Sequence, residues 1–252
     1  LFPYTTLFRS IEASRCKLKT HAYQALEWIP RVPRAEKEQY EAAGKADGFA
    51  AYHFKQRLEN HKMGPVPADR TAYFPVHFVY PYTGNEGALG FDLGSNPARL
   101  KALELARDSN SSVASARINL VQIPNDPAGV LVFSPVYKNN TDISTVKLRQ
   151  KNLHGFALGV FKISLLVDTA LNSSDANKAV RSPAGIDLYL FDGGTNDKQE
   201  LIYVHNSRSR KSPAPVLDFD TARQDIYFSH EIIVGGRAWK LIARPTVTSL
   251  AA

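Results

Sequence analysis

The sequence predicts an α+β protein, and three observations carry that reading. Strand-length apolar runs recur through the second half of the chain, at 130–137, 155–163, 186–191 and 200–205, each bounded by turn-forming residues. Helical signatures are fewer and shorter, the strongest lying at 95–107, where Ser95 or Asn96 can cap, Pro97 suits the first position, and Leu100, Leu103, Leu105 and Ala106 supply an apolar stripe. Two further strands flank Gly235-Gly236 and close the chain as an antiparallel pair. Strands that follow one another with short helices between them read as α+β.

Taken in order, residues 1–10, LFPYTTLFRS, look like the in-frame translation of a common short-read sequencing adapter, so the native sequence is expected to begin near Ile11. Residues 11–26 are compatible with the end of a helix, although Ile11, Cys16 and Leu18 are sparse for a buried face. Pro30 and Pro33 then enforce an extended, Trp28-anchored segment. A charged amphipathic helix runs from Arg34 to Gly44, a short strand or turn lies within 54–62, and 63–67 is a loop. The run from Tyr73 to Tyr80 predicts a strand, and Thr83 to Gly87 a polar turn that leads through Phe91 and Asp92 to the helix at 97. A strand at 113–123, a turn at 124–129, a short amphipathic segment ending at Asn152 and a helix at 164–172 complete the middle of the chain. Asp192 to Asp197 reads as a hairpin turn.

Composition excludes several functions. Hydrophobic residues make up 44% and charged residues 22%, enough apolar material for a core, with no apolar run of eighteen residues. The net charge of +7 is spread among alternating acids and bases, and aromatic residues do not interleave with basic ones, so no nucleic-acid partner is expected. Cys16 is the one cysteine, so no disulfide can form within the chain. The histidines lack metal-ligand spacing, and neither a phosphate-binding glycine loop nor a nucleophile elbow is present. Ser229, His230 and Glu231 are consecutive, so a strand would point them to alternate faces and prevent a relay. No cofactor or metal site is expected. Asp92 stands out, following Leu89-Gly90-Phe91 just before a helix start. Two readings of it are open: a carboxylate that accepts hydrogen bonds from a ligand, or one that caps the turn and pairs with a nearby arginine.

Six segments together resemble the CHASE domain family: ALEWIPRV (25–32), YFPV (73–76), GNEGALGFDL (84–93), SNPARLKALELAR (95–107), LVFSPVY (131–137) and GFALGVFKI (155–163). The resemblance implies a non-catalytic, extracytoplasmic sensor of a membrane receptor, flanked by transmembrane helices and joined to a histidine kinase or a diguanylate cyclase/phosphodiesterase output. It implies a stalk helix within 11–62, a membrane-distal PAS-like subdomain at 63–150 that binds a small molecule, a membrane-proximal one at 151–245, and a linker toward a membrane helix at 246–252. A homodimer through the stalk is implied as well. By the same resemblance Asp92 is the pocket anchor, with Phe91, Tyr73, Phe78, Tyr80, Asn85, Glu86, Ala114 and Phe133 around it. Ala114 departs from the pattern, standing where plant relatives that bind cytokinins carry a leucine. The alternative is a self-contained periplasmic solute-binding protein or hydrolase using Asp92 or Glu86 as an acid or base.

Overall fold

The computed structural model describes residues 23–60, 62–120, 128–172, 184–193 and 199–246. The expected adapter-derived segment, the stalk portion at 11–22, most of the turns at 124–129 and 192–197, and the linker from 247 onward lie outside those residues. In chain order the first elements are β1 (Ala25–Pro30), β2 (Val32–Pro33), α1 (Lys37–Ala46), β3 (Lys55–Arg57), β4 (Met63–Pro65), β5 (Ala72–Tyr73), β6 (Phe78–Tyr80), α2 (Pro97–Ser109), β7 (Val113–Ala114) and β8 (Ile118–Asn119). They are followed by β9 (Ala128–Tyr137), α3 (Val146–Asn152), β10 (Leu153–Lys162), α4 (Ile163–Asn172), β11 (Ile186–Asp192), β12 (Glu200–His205), α5 (Phe219–Ala222), β13 (Phe228–Val234) and β14 (Arg237–Pro245). The fold is α+β, as the sequence predicts.

Two antiparallel sheets organise these elements. The first has the order β6-β1-β10-β9-β7, with β8 also pairing β9; the second has the order β12-β11-β14-β13. In the first, β1 lies between β6 and β10, with Glu27 opposite both Val79 and Leu158. Opposed residues share a face, so Ala25, Glu27 and Ile29 look the same way as Leu158, Val160, Leu131 and Phe133. Against that inner face pack Phe54, Tyr73, Phe74, Phe91, Leu93 and α2, burying the main core. Phe156 anchors it, edge-on to both Phe74 and Phe133. In the second sheet, Leu190, Ile202 and Trp239 face Ala114, Val130 and Ile163, a cluster that joins the two sheets. On its other side Tyr189, Phe191 and Ile242 bury α5.

Sheet membership places two segments and corrects one expectation. Residues 25–30, within the segment read as extended and Trp28-anchored, form a central strand, because the flanking prolines extend Trp28 and its neighbours and both edges are hydrogen-bonded. Residues 153–162, assigned to the second unit, pair with β1 and β9 in the first sheet. The single strand expected from Tyr73 to Tyr80 is broken into β5, which pairs with β2, and β6, which joins the first sheet. Pro75 has no N–H to donate to a ladder, and its neighbours bond elsewhere: the Phe74 N–H to the Asp92 side chain and the Val76 N–H to the Phe91 carbonyl.

The expected leucine-to-alanine departure at 114 has a packing reason. The Ala114 N–H donates to the carbonyl of Gly235, 2.8 Å away, in the turn between β13 and β14. A side chain on Gly235, whose φ is +52°, would begin 2.8 Å from the Ala114 Cβ. The two residues are small because each occupies the space the other leaves. Ala114→Leu is therefore expected to overpack this contact and cost about 2–3 kcal/mol, as overpacked cores generally do. Urea unfolding reads this as a lower midpoint at unchanged slope; an unchanged midpoint would refute the tight fit.

Candidate functional site

Between the first sheet and α2 lies an internal cavity whose polar wall consists of Glu27 and Arg99, and whose apolar wall includes Phe91, Leu93, Leu131 and Val160. Its volume is about 20 Å³, room for roughly one water molecule. Each polar residue is placed by an identifiable local cause. Glu27 is carried inward by the register of β1, in a strand whose other inward residues, Ala25 and Ile29, are apolar and fully buried. Arg99 is placed by the start of α2, where the Asn96 side chain accepts from the Arg99 N–H at 3.1 Å and Pro97 occupies the first turn.

Burial dominates the electrostatics. Desolvation pushes the Glu27 carboxyl up to about 8, against the pull of Arg99, so at neutral pH the residue is mostly the neutral acid. Desolvation also pushes Arg99 down, to about 10, against the attraction of Glu27, which leaves it charged at neutral pH. The guanidinium lies over the Phe91 ring, 5.0 Å from its centroid. One of its amino groups reaches the Asn119 carbonyl at 3.5 Å. Its Nε–H has no acceptor among the described residues, although the side chain is buried. A buried cation with an unmet donor facing a cavity is the arrangement that a ligand oxygen would complete.

In the structure Asp92 makes the bonds of a turn cap and an ion pair. It is fully buried, and its Oδ1 accepts from the N–H groups of Phe74 at 2.8 Å and Gly94 at 3.1 Å. Its Oδ2 accepts from Arg70 at 2.7 Å. Burial pushes this carboxyl up, while the two N–H groups and Arg70 pull it down. The residue caps the turn that precedes α2 and pairs with an arginine, and so sets the frame around the cavity. Gly90 makes the approach possible: its φ is +76°, and a Cβ there would strike the His53 carbonyl oxygen.

The other expected site residues scatter. Phe91 lines the cavity. Phe133 belongs to the same core, stacked edge-on against Phe156. Tyr73 is buried, with its hydroxyl donating to the Pro67 carbonyl at 2.8 Å. Phe78 and Tyr80 stand opposite Trp28 and Leu26, on the face of the sheet away from Glu27. Asn85 is buried, and its amide ties Gln24 to Pro81. Glu86 is exposed and accepts from the Gly84 N–H, a bond that holds its carboxyl below the usual range. Ala114 sits at the junction between the sheets. Sequence reasoning missed Glu27 and Arg99. The available signal was a lone carboxylate inside the apolar run Ala25-Leu26-Glu27-Trp28-Ile29 and an arginine in the third position of a capped helix.

Glu27 gives the site a pH signature. The unfolded chain releases this proton near pH 4.5, whereas the folded chain keeps it to about 8. Between those values the native state binds more protons, so stability falls as pH rises, by at most about 1.4 kcal/mol per unit for one proton. Glu27→Gln removes that slope. The variant is expected to gain on the wild type steadily from pH 4.5 to about 8 and to hold a constant difference above it. Urea unfolding of both proteins across that range checks this; parallel pH profiles would show that Glu27 titrates normally.

The comparisons with known proteins bear on what such a cavity is for. The hybrid signal transduction histidine kinase A of Dictyostelium discoideum is 28% identical over 240 residues, which cover 88% of this chain and 11% of that protein. The chain thus spans about a tenth of the length of the curated relative it matches. The CHASE domain model matches residues 8–203, more than half of the chain. The chain belongs to the CHASE domain family of sensor domains.

Proposed function

We propose that this chain is the extracytoplasmic sensor segment of a membrane receptor, in which a small molecule entering the Glu27–Arg99 cavity alters the output of a kinase. The observation that carries this reading is the buried Arg99 guanidinium, charged and short of an acceptor, facing a cavity in a CHASE domain. At neutral pH the cavity presents the Arg99 cation beside a Glu27 carboxyl that is mostly the neutral acid. The ligand it favours therefore carries a carboxylate or another strong acceptor beside an apolar body that can lie against Phe91, Leu93 and Leu131.

A cavity of about 20 Å³ admits one water-sized group, so a ligand selects a conformation in which its walls have parted. The antiparallel sheet whose first and last strands, β1 and β10, lie side by side, with the intervening chain folded over one face, supports a PAS-like description of the first unit. The second sheet is then the membrane-proximal unit, with the stalk, the dimer and the flanking membrane helices as in the family resemblance. Among the described residues no helix is long and apolar enough to cross a membrane. The histidine kinase output follows from the Dictyostelium relative, of which this chain matches a small part. The sensor itself catalyses nothing on this reading. Asp92, already bonded to Phe74, Gly94 and Arg70, acts by holding Phe91 and the start of α2 in place.

Two measurements test this. Thermal-shift screening with a panel of aromatic and aliphatic carboxylic acids is expected to yield a stabilising compound, by about 2.7 kcal/mol at one hundred times its dissociation constant. Arg99→Gln, verified as folded by circular dichroism, is expected to lose that stabilisation; an equal shift in the variant would remove the cavity from consideration. The complete reading frame is expected to encode membrane-spanning helices on both sides of the segment and a signalling module beyond them. A stop codon directly after Ala252 would instead favour a self-contained binding protein.

A further inference from the structure

A second concavity lies on the outer side of α2. It is an open groove of about 510 Å³, within the size range of small-molecule sites, bordered by Arg31, Arg70, Phe74, Leu100, Glu104 and Arg107. Its three arginines come from three separate segments: the turn after β1, the loop before β5, and α2 itself. One face of α2 builds the wall, because Pro97, Leu100, Glu104 and Arg107 recur at helical spacing, while Arg99, Leu103 and Ala106 turn to the buried side.

The donors in this groove exceed the acceptors that face them. Arg31 has no ion-pair or hydrogen-bond partner for its side chain among the described residues. Arg70 spends one amino group on Asp92, which is buried behind it, and keeps 27% of its side chain exposed. Arg107 gives its Nε and one amino group to Asp108, leaving the other amino group uncommitted. Glu104 is the one acid among the lining residues, against three arginines. Gly94 and Phe74 both line the groove, and a Cβ on Gly94 would stand 3.0 Å from the Phe74 ring.

We propose that this groove is a recognition site for a soluble polyanion with carboxylate or phosphate oxygens, separate from the internal cavity. Arginine forks from different segments favour a ligand with at least two anionic groups, since each planar guanidinium pairs best with its own pair of oxygens. The site shares α2 with the cavity: Leu100, Glu104 and Arg107 meet the outer anion while Arg99 meets the inner space. An anion that draws Arg31 and Arg107 together tightens the loop at 70–74 and α2 about the Asp92–Arg70 pair.

Isothermal titration calorimetry with citrate and with inorganic phosphate, at constant ionic strength set by sodium chloride, tests the site on the whole chain. Saturable binding is expected for citrate, stronger than for phosphate. Arg31→Gln with Arg107→Gln is expected to weaken citrate by about tenfold or more, the loss typical of a charged hydrogen bond. Arg70 is left untouched because it holds Asp92. Glu104→Gln removes the opposing charge and is expected to tighten citrate, a gain that a misfolded variant could not mimic. The absence of saturable heat with either anion would overturn the proposal. So would citrate affinity that is the same in the wild type, the double arginine variant and Glu104→Gln.

Discussion

The buried carboxylate of Asp92 is the interaction on which the first unit depends. Its side chain accepts from Phe74, Gly94 and Arg70, its N–H donates to the Lys55 carbonyl at 2.8 Å, and its carbonyl accepts from the Ser95 hydroxyl at 2.6 Å. Five groups thus converge on one residue, three of them, on Lys55, Arg70 and Phe74, from distant parts of the chain. Truncating the Asp92 side chain would leave the Phe74 and Gly94 N–H groups and Arg70 without their acceptor, and each unmet buried donor costs about 1–3 kcal/mol. The chain accepts the desolvation of a carboxylate here because no apolar residue can satisfy backbone N–H groups. The same bonds account for the broken strand at 73–80. Once Phe74 bonds to Asp92 and Val76 to Phe91, the segment cannot also remain a regular ladder.

From that point the geometry propagates along the chain. Asp92 caps the turn at Leu93–Ser95, Asn96 caps α2, and α2 carries Arg99 inward and Arg107 outward. At its far end α2 stops on Asn110, in the left-handed region at φ +54°, and within a few residues the chain enters β7. There Ala114 meets Gly235 in the hairpin that closes the second sheet. A displacement of α2 has a short, packed route to the second unit, through a contact with no spare room to absorb it. Physical contiguity of this kind permits coupling without establishing its size.

Much of this was legible in the sequence, and the reasons divide cleanly. The helix at 97–109 announces itself through Asn96, Pro97 and its leucines, because capping chemistry is local. The closing hairpin announces itself through Gly235-Gly236, since turns with positive φ demand such residues. The role of Asp92 was half visible: its place before a helix start suggested a cap, but Arg70 lies twenty-two residues away and no local pattern points to it. Glu27 was hidden because alternation alone cannot say which face of β1 is buried. Leu26 and Trp28 look like the inward pair, yet the register with β10 turns Ala25, Glu27 and Ile29 to the core. Trp28 is buried nonetheless, stacked on His154 at 5.4 Å.

That choice of face gives the cavity its polar chemistry. Asp92, the carboxylate near a helix start, accepts from two backbone N–H groups and from Arg70. The polar character needed inside the sheet then comes from two residues that are individually unfavourable there, a glutamic acid and an arginine, each shifted by burial against the pull of the other. A well-packed apolar pair of similar volume would serve stability at least as well. A buried Nε–H with no acceptor among the described residues is costly unless a molecule in the cavity accepts from it. A water or a ligand oxygen in the adjoining cavity would supply an acceptor for it.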